Sequence, residues 1–167
     1  MKRIKRNQAP ASIWKNPVHF LAFGLGTGAS PYAPGTVGTL LGIPLVYLLS
    51  HWPLWMYLAV SAALIVIGVW VCDRTSRDIG VHDHGGIVID EVAGYLVTMV
   101  AVPVNLWTLT AAFFIFRLFD IVKPWPIGWL DRKVKGGLGI MIDDLLAGLY
   151  SLGVMWVMIW LYSANIQ

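Results

Sequence analysis

Charge is what this sequence has least of. Only 13% of its 167 residues are Asp, Glu, Lys or Arg, against 57% hydrophobic, and the mean hydropathy is +0.69. A water-soluble domain of this size has too much surface to cover with so few charges. Cysteine is also scarce. The single Cys72 excludes an internal disulfide, and its place at the end of an apolar run reads as a small buried hydrophobe. No repeat and no low-complexity linker occurs, and the length suits one domain over 1–167. The basic start MKRIKR leads into a Gly/Pro-rich stretch rather than a compact apolar segment with a cleavage site, so a secretory signal does not fit. The net charge of +3 comes from loop bias and gives no ground for nucleic-acid binding.

What charge there is falls into clusters: Lys2 to Lys15, Asp73 to Glu91, Arg117 to Lys135, and the pair Asp143–Asp144. Between them, 16–72, 92–116 and 145–167 carry no Lys, Arg, Asp or Glu. A transmembrane helix needs about 20 apolar residues, so these windows predict an all-α, polytopic membrane bundle. Its expected hydrophobic helices are five: Val37–Ser50, Leu54–Cys72, Ile87–Val102, Leu106–Val122 and Asp144–Ser163. Residues 17–28, VHFLAFGLGTGA, are apolar but too short to span and suit an interfacial or re-entrant segment. With the N-terminus cytoplasmic, five spans leave every Lys and Arg on or beside the cytoplasmic side. The membrane is therefore the expected partner, and the oligomeric state stays open.

The acids gather at helix ends of one membrane level. Asp90 and Glu91 open the third expected helix, Asp120 closes the fourth, and Asp143 and Asp144 open the fifth. Acids at a helix N-terminus also suit the macrodipole, which is a sufficient account of Asp143 and Asp144 taken alone. It fails for Asp120, which sits where an anion is disfavoured. A shared cation explains all of them, and hard oxygen donors select Mg²⁺, with Mn²⁺ as substitute, over zinc. Arg117 and Lys123 flank Asp120 at three residues on either side. Arg117 reads equally as a salt-bridge partner and as a phosphate contact, whereas Lys123, ahead of the rigid Pro-Trp-Pro turn, reads as a phosphate contact. Arg132, Lys133 and Lys135 form a basic patch suited to anionic head groups.

The stretch GTGASPYAPGTVG has the composition of a phosphate-cradling loop, with Gly35 and Thr36 near a helix N-terminus. A Gly/Pro loop packed close to helices has the same composition. His84, in the polar knot His82–Asp83–His84, is a candidate proton donor; a solvated loop histidine is the plainer alternative. His19 and His51 read as interfacial or structural. Intramembrane acids also occur in proton or cation relays, and a non-catalytic scaffold is a further class. No inverted repeat and no mid-membrane ionisable residue favours the relay.

The segments FGLGTGASPYAPGTVGTLLGIP, VHDHGGIVIDEVAGY, FRLFDIVKPWPIGWLDR and GGLGIMIDDLLAG, in this order from Phe20 to Gly148, resemble the phosphatidylglycerophosphatase A family. The resemblance implies a bacterial inner-membrane enzyme whose substrate is an anionic phospholipid. It would hydrolyse phosphatidylglycerophosphate to phosphatidylglycerol and phosphate, with Mg²⁺ required. It implies functional roles for Asp90, Glu91, Asp120, Lys123, Asp143 and Asp144, with Gly35 and Thr36 in the loop. On this reading Asp120, Glu91 and Asp144 are the catalytic candidates, and in-line attack by water on phosphorus is expected, with an aspartyl-phosphate as the alternative.

Overall fold

A computed structural model describes residues 9–165; the basic start of the Lys2 to Lys15 cluster lies outside them. The described residues are helical, with no strand among them. Two 3₁₀ turns, Ala11–Trp14 and Thr27–Ala29, bracket α1 (Pro17–Ala22). Then come α2 (Pro34–Leu49), α3 (Leu54–Ile79), α4 (Ile89–Thr98), α5 (Leu106–Val122), α6 (Ile127–Lys133) and α7 (Gly136–Ala164).

The expected breaks hold where side-chain chemistry forces them. Pro53 precedes α3, Asn105 caps α5 by accepting the Thr108 amide at 3.0 Å while Thr108 returns the bond, and Lys123 ends α5 in the left-handed region at φ 44. Lengths differ from expectation. The helix expected to end at Cys72 continues to Ile79, because Asp73–Arg77 and Arg74–Asp78 pair at i,i+4 and carry it past the apolar run. The third helix is 10 residues rather than the stretch to Val102, since Ala101 turns into the left-handed region at φ 54. The last helix starts at Gly136, eight residues before Asp144.

Among the described residues, only α3 and α7, of 26 and 29 residues, are long and apolar enough to cross a membrane by length and composition. That is fewer than the five spans expected, because α2, α4 and α5 are 16, 10 and 17 residues long. The apolar windows of α3 and α7 are only 22% buried, unlike the core helix of a soluble bundle. All nine Trp (14, 52, 55, 70, 107, 125, 129, 156 and 160) are exposed, as amphipathic rings are at a membrane interface.

At the centre lies α4, with Val92, Ala93, Tyr95 and Leu96 buried. Tyr57 on α3 donates to the Leu96 carbonyl at 2.7 Å, and Tyr95 donates to the Leu109 carbonyl of α5 at 2.9 Å. α4 also packs closely on α7. A methyl group on Gly94 would sit 2.6 Å from the Asp144 carbonyl oxygen, and one on Gly148 would overlap the Gly94 carbonyl. Two glycines facing each other thus let the backbones touch. The apolar 17–28 segment is α1 followed by turns, pinned to α3 by buried His19, whose Nε2 lies 3.2 Å from Asp78 and Nδ1 2.9 Å from Ser12.

Candidate active site

The glycine contact fixes the site, because each glycine lies one helical turn after an acid. Asp90 and Glu91 precede Gly94 on α4, and Asp144 precedes Gly148 on α7. Closing the two backbones brings Asp90, Glu91 and Asp144 together, with one carboxylate oxygen from each within 4.8 Å of the others. Asp90 and Asp144 are buried, and Glu91 is nearly so. The α5 end supplies Asp120, which faces both Glu91 and Asp144. Asp143 lies beside Asp144, buried and turned toward Lys123.

The site therefore contains five carboxylates and two cations. Arg117 Nη1 sits 2.6 Å from Asp120 and 3.9 Å from Glu91. Lys123 bridges Asp143 and Asp131, the latter at 3.2 Å. Burial alone would lower the Lys123 ammonium, but the two carboxylates outweigh it and hold its pKa above the usual lysine value. Five acids outnumber two bases in a largely buried place. Two oxygens there, Glu91 Oε2 and Asp143 Oδ1, are buried with no hydrogen-bond donor, and an orphaned buried carboxylate oxygen is costly. An all-oxygen donor set, crowded and under-neutralised, fits a hard divalent cation such as Mg²⁺.

α2 brings the loop to the same place. Ala33 enters the left-handed region at φ 43, Pro34 opens the helix, and no side chain caps it. The amides of Gly35 and Thr36 at this first turn have no intrahelical acceptor. A methyl group on Gly35 would overlap Glu91 Oε1 and lie 3.1 Å from Arg117 Nη1. Gly35 is thus required for the helix N-terminus to reach the acids, and half-buried Thr36 follows it. His84 is fully buried, its ring tilted against Phe23 and its Nδ1 accepting the Gly86 amide at 3.1 Å.

Sequence reasoning placed Asp143 and Asp144 at a helix opening. They lie two turns inside α7, so the macrodipole account of them fails. The α7 N-terminus is instead met by Asp73, which accepts the Gly137 amide at 3.3 Å, and by His82, which accepts the Gly136 amide at 3.0 Å. Asp131 as second partner of Lys123, and the Gly94–Gly148 contact, went unnoticed. The glycines carried a signal, a small residue four positions after an acid on each of two helices.

The family model described as phosphatidylglycerophosphatase A matches residues 20–159. Phosphatidylglycerophosphatase A of Escherichia coli (strain K12) is 51% identical over 142 residues, covering 84% of this chain and 83% of the relative. Phosphatidylglycerophosphatase A of Haemophilus influenzae is 46% identical over 142 residues, covering 84% and 87%. No solved structure matches. The matched span holds every acid and base of the cluster together with Gly35, Gly94 and Gly148, and the chain belongs to the phosphatidylglycerophosphatase A family.

Proposed function

We propose that this chain hydrolyses the terminal phosphomonoester of phosphatidylglycerophosphate, giving phosphatidylglycerol and phosphate, with Mg²⁺ at the carboxylate cluster. The observation that carries the reading is the cluster itself. Three carboxylates from two crossing helices, two of them buried and the third nearly so, bring one oxygen each within 4.8 Å of the others, and a helix N-terminus and two cations stand beside them. Asp90, Glu91 and Asp144 would hold the ion, with Asp120 and Asp143 adjoining. When bound, the ion offers Lewis-acid stabilisation of phosphoryl oxygens.

The chain's own groups divide the remaining work. The Gly35 and Thr36 amides point at the approaching phosphate from the α2 N-terminus. Lys123 and Arg117 neutralise charge as the phosphorus–oxygen bond lengthens. A carboxylate of the cluster not engaged with the ion takes the proton of the attacking water. Buried His84, just ahead of α4, is the proposed donor of the proton to the leaving alkoxide.

The membrane placement rests on α3 and α7 with their mostly exposed apolar windows. The chain direction supports the finer topology. α2, α4 and α7 leave the acid end, while α3 and α5 return to it. Together with the apolar turn after α4, this makes a five-pass arrangement with the site on the cytoplasmic face of the inner membrane. Every Lys and Arg from Lys15 to Lys135 lies at or beside the acid end. The test is phosphate release from phosphatidylglycerophosphate in detergent micelles. Chelator should abolish it and added Mg²⁺ restore it; full turnover in metal-free protein would remove the metal from the reading.

A further inference from the structure

The phosphate chemistry leaves the outer side of the α5–α7 seam unused. There an open, apolar groove of 490 Å³ runs along α7, walled by Phe119 of α5 and by Tyr150, Gly153, Val157 and Met158 of α7. Its lower end lies at the helix end that carries Asp120. Phe119 directly precedes Asp120 and meets the Tyr150 ring edge-on at 5.7 Å. The Tyr150 hydroxyl donates to the Trp125 carbonyl at 3.4 Å, in the turn that follows Lys123. From Leu149 to Met158 the groove rises about 14 Å at ~1.5 Å per residue. That is close to half of the roughly 30 Å hydrocarbon thickness of a bilayer. Gly153 forms its notch, where an added methyl group would meet nothing within 4 Å.

We propose that this groove seats one acyl chain of the lipid whose phosphate reacts at the acid cluster, which makes the chain a determinant of substrate affinity. The inference rests on the lipid-phosphatase reading above. Three features select an acyl chain over a partner helix or a second copy of the protein. The groove begins beside Asp120, its length matches one leaflet, and its wall is apolar apart from the Tyr150 hydroxyl at the head-group end. A chain lying there would hold the phosphate near Lys123 without using any polar group of the site.

The experiment compares wild type, Gly153→Phe and a control, Val66→Phe, which places the same aromatic side chain on the exposed face of α3. Each full-length protein, in micelles, receives dipalmitoyl phosphatidylglycerophosphate or the same head group as a water-soluble, chain-free ester. Because the space at Gly153 is open, Gly153→Phe should keep the wild-type Tm. The preference of wild type for the long-chain substrate should fall roughly tenfold in Gly153→Phe, equivalent to about 1.4 kcal/mol. The loss should appear in KM, with Val66→Phe unchanged. An unaltered preference in Gly153→Phe, or no chain preference in wild type, overturns the groove. If wild type hydrolyses neither ester, the phosphatase reading falls instead. Binding of long-chain phosphatidic acid then decides the groove: weaker binding in Gly153→Phe sustains it and equal binding overturns it.

Discussion

Gly94→Ala should separate activity from stability. The added methyl group would stand 2.6 Å from the Asp144 carbonyl oxygen and 2.6 Å from the Phe116 ring. Ordinary contact needs about 3.5 Å, so α4 and α7 must part by roughly 1 Å. The Phe116 ring can tilt, but the Asp144 backbone lies in the middle of a long helix and cannot. Overpacking of this kind costs about 1–3 kcal/mol, while replacing a mid-helix glycine by alanine returns up to ~1 kcal/mol. The net loss of stability should therefore be modest. Activity has no such offset, because the parting acts on the contact that sets Asp90 and Glu91 against Asp144. A misplacement of about 1 Å at reacting groups costs roughly 10²-fold in rate. The assay is phosphate release under saturating lipid, with thermal unfolding in detergent measured on the same preparation. Turnover within ~3-fold of wild type, less than about 1 kcal/mol of transition-state energy, would show that the glycine contact does not set the site.

Asp120→Asn keeps the side-chain shape beside Arg117 but removes a charge, so kcat should drop by about 10²-fold with expression and membrane insertion intact. A near wild-type rate would reduce Asp120 to a salt-bridge partner of Arg117. Lys123→Ala strips Asp143 of its cation and should raise KM about 10- to 100-fold, the worth of a charged hydrogen bond of ~1.5–3 kcal/mol. Lys123→Arg should not restore it, because a forked guanidinium replaces a compact ammonium; an unchanged KM in Lys123→Ala would take that lysine out of substrate binding. For topology, single cysteines are placed in a Cys72→Ala background. Lys133→Cys should resist an impermeant thiol reagent in intact cells, whereas Asn105→Cys and Ser163→Cys should react. Labelling at Lys133→Cys would put the carboxylates on the face opposite the proposed substrate.

How far the sequence could be read depended on the range of the forces involved. Pro53, Asn105 and Pro124 act locally, so the start of α3 and both ends of α5 were legible. The acids could be grouped because charge is expensive in apolar surroundings wherever it falls. Helix extent was less legible, since it depends on partners far along the chain. GGLG before Asp143 reads as loop, yet Asp73 and His82 meet the amides of Gly136 and Gly137 and the helix starts there. Helix length across the apolar windows was hard to read for the same reason. Charge-free windows bound where helices can lie, but Ala101 and the turn after Thr98 decide where α4 stops.

The pairing inside the cluster also lay beyond sequence spacing, and it bears most on function. Arg117 sits between Asp120 and Glu91, and Lys123 between Asp143 and Asp131. Each cation is thus already shared by two acids, and Asp90 and Asp144 are left with other carboxylates as their charged neighbours. Buried like charges are tolerated only where a proton or a cation relieves them. The glycine contact brings those two acids closer than solvation would favour, at the expense of stability. Such an arrangement suits a bound cation, and on the proposed function the amides of α2 would then meet a substrate whose own negative charge the cluster alone would repel.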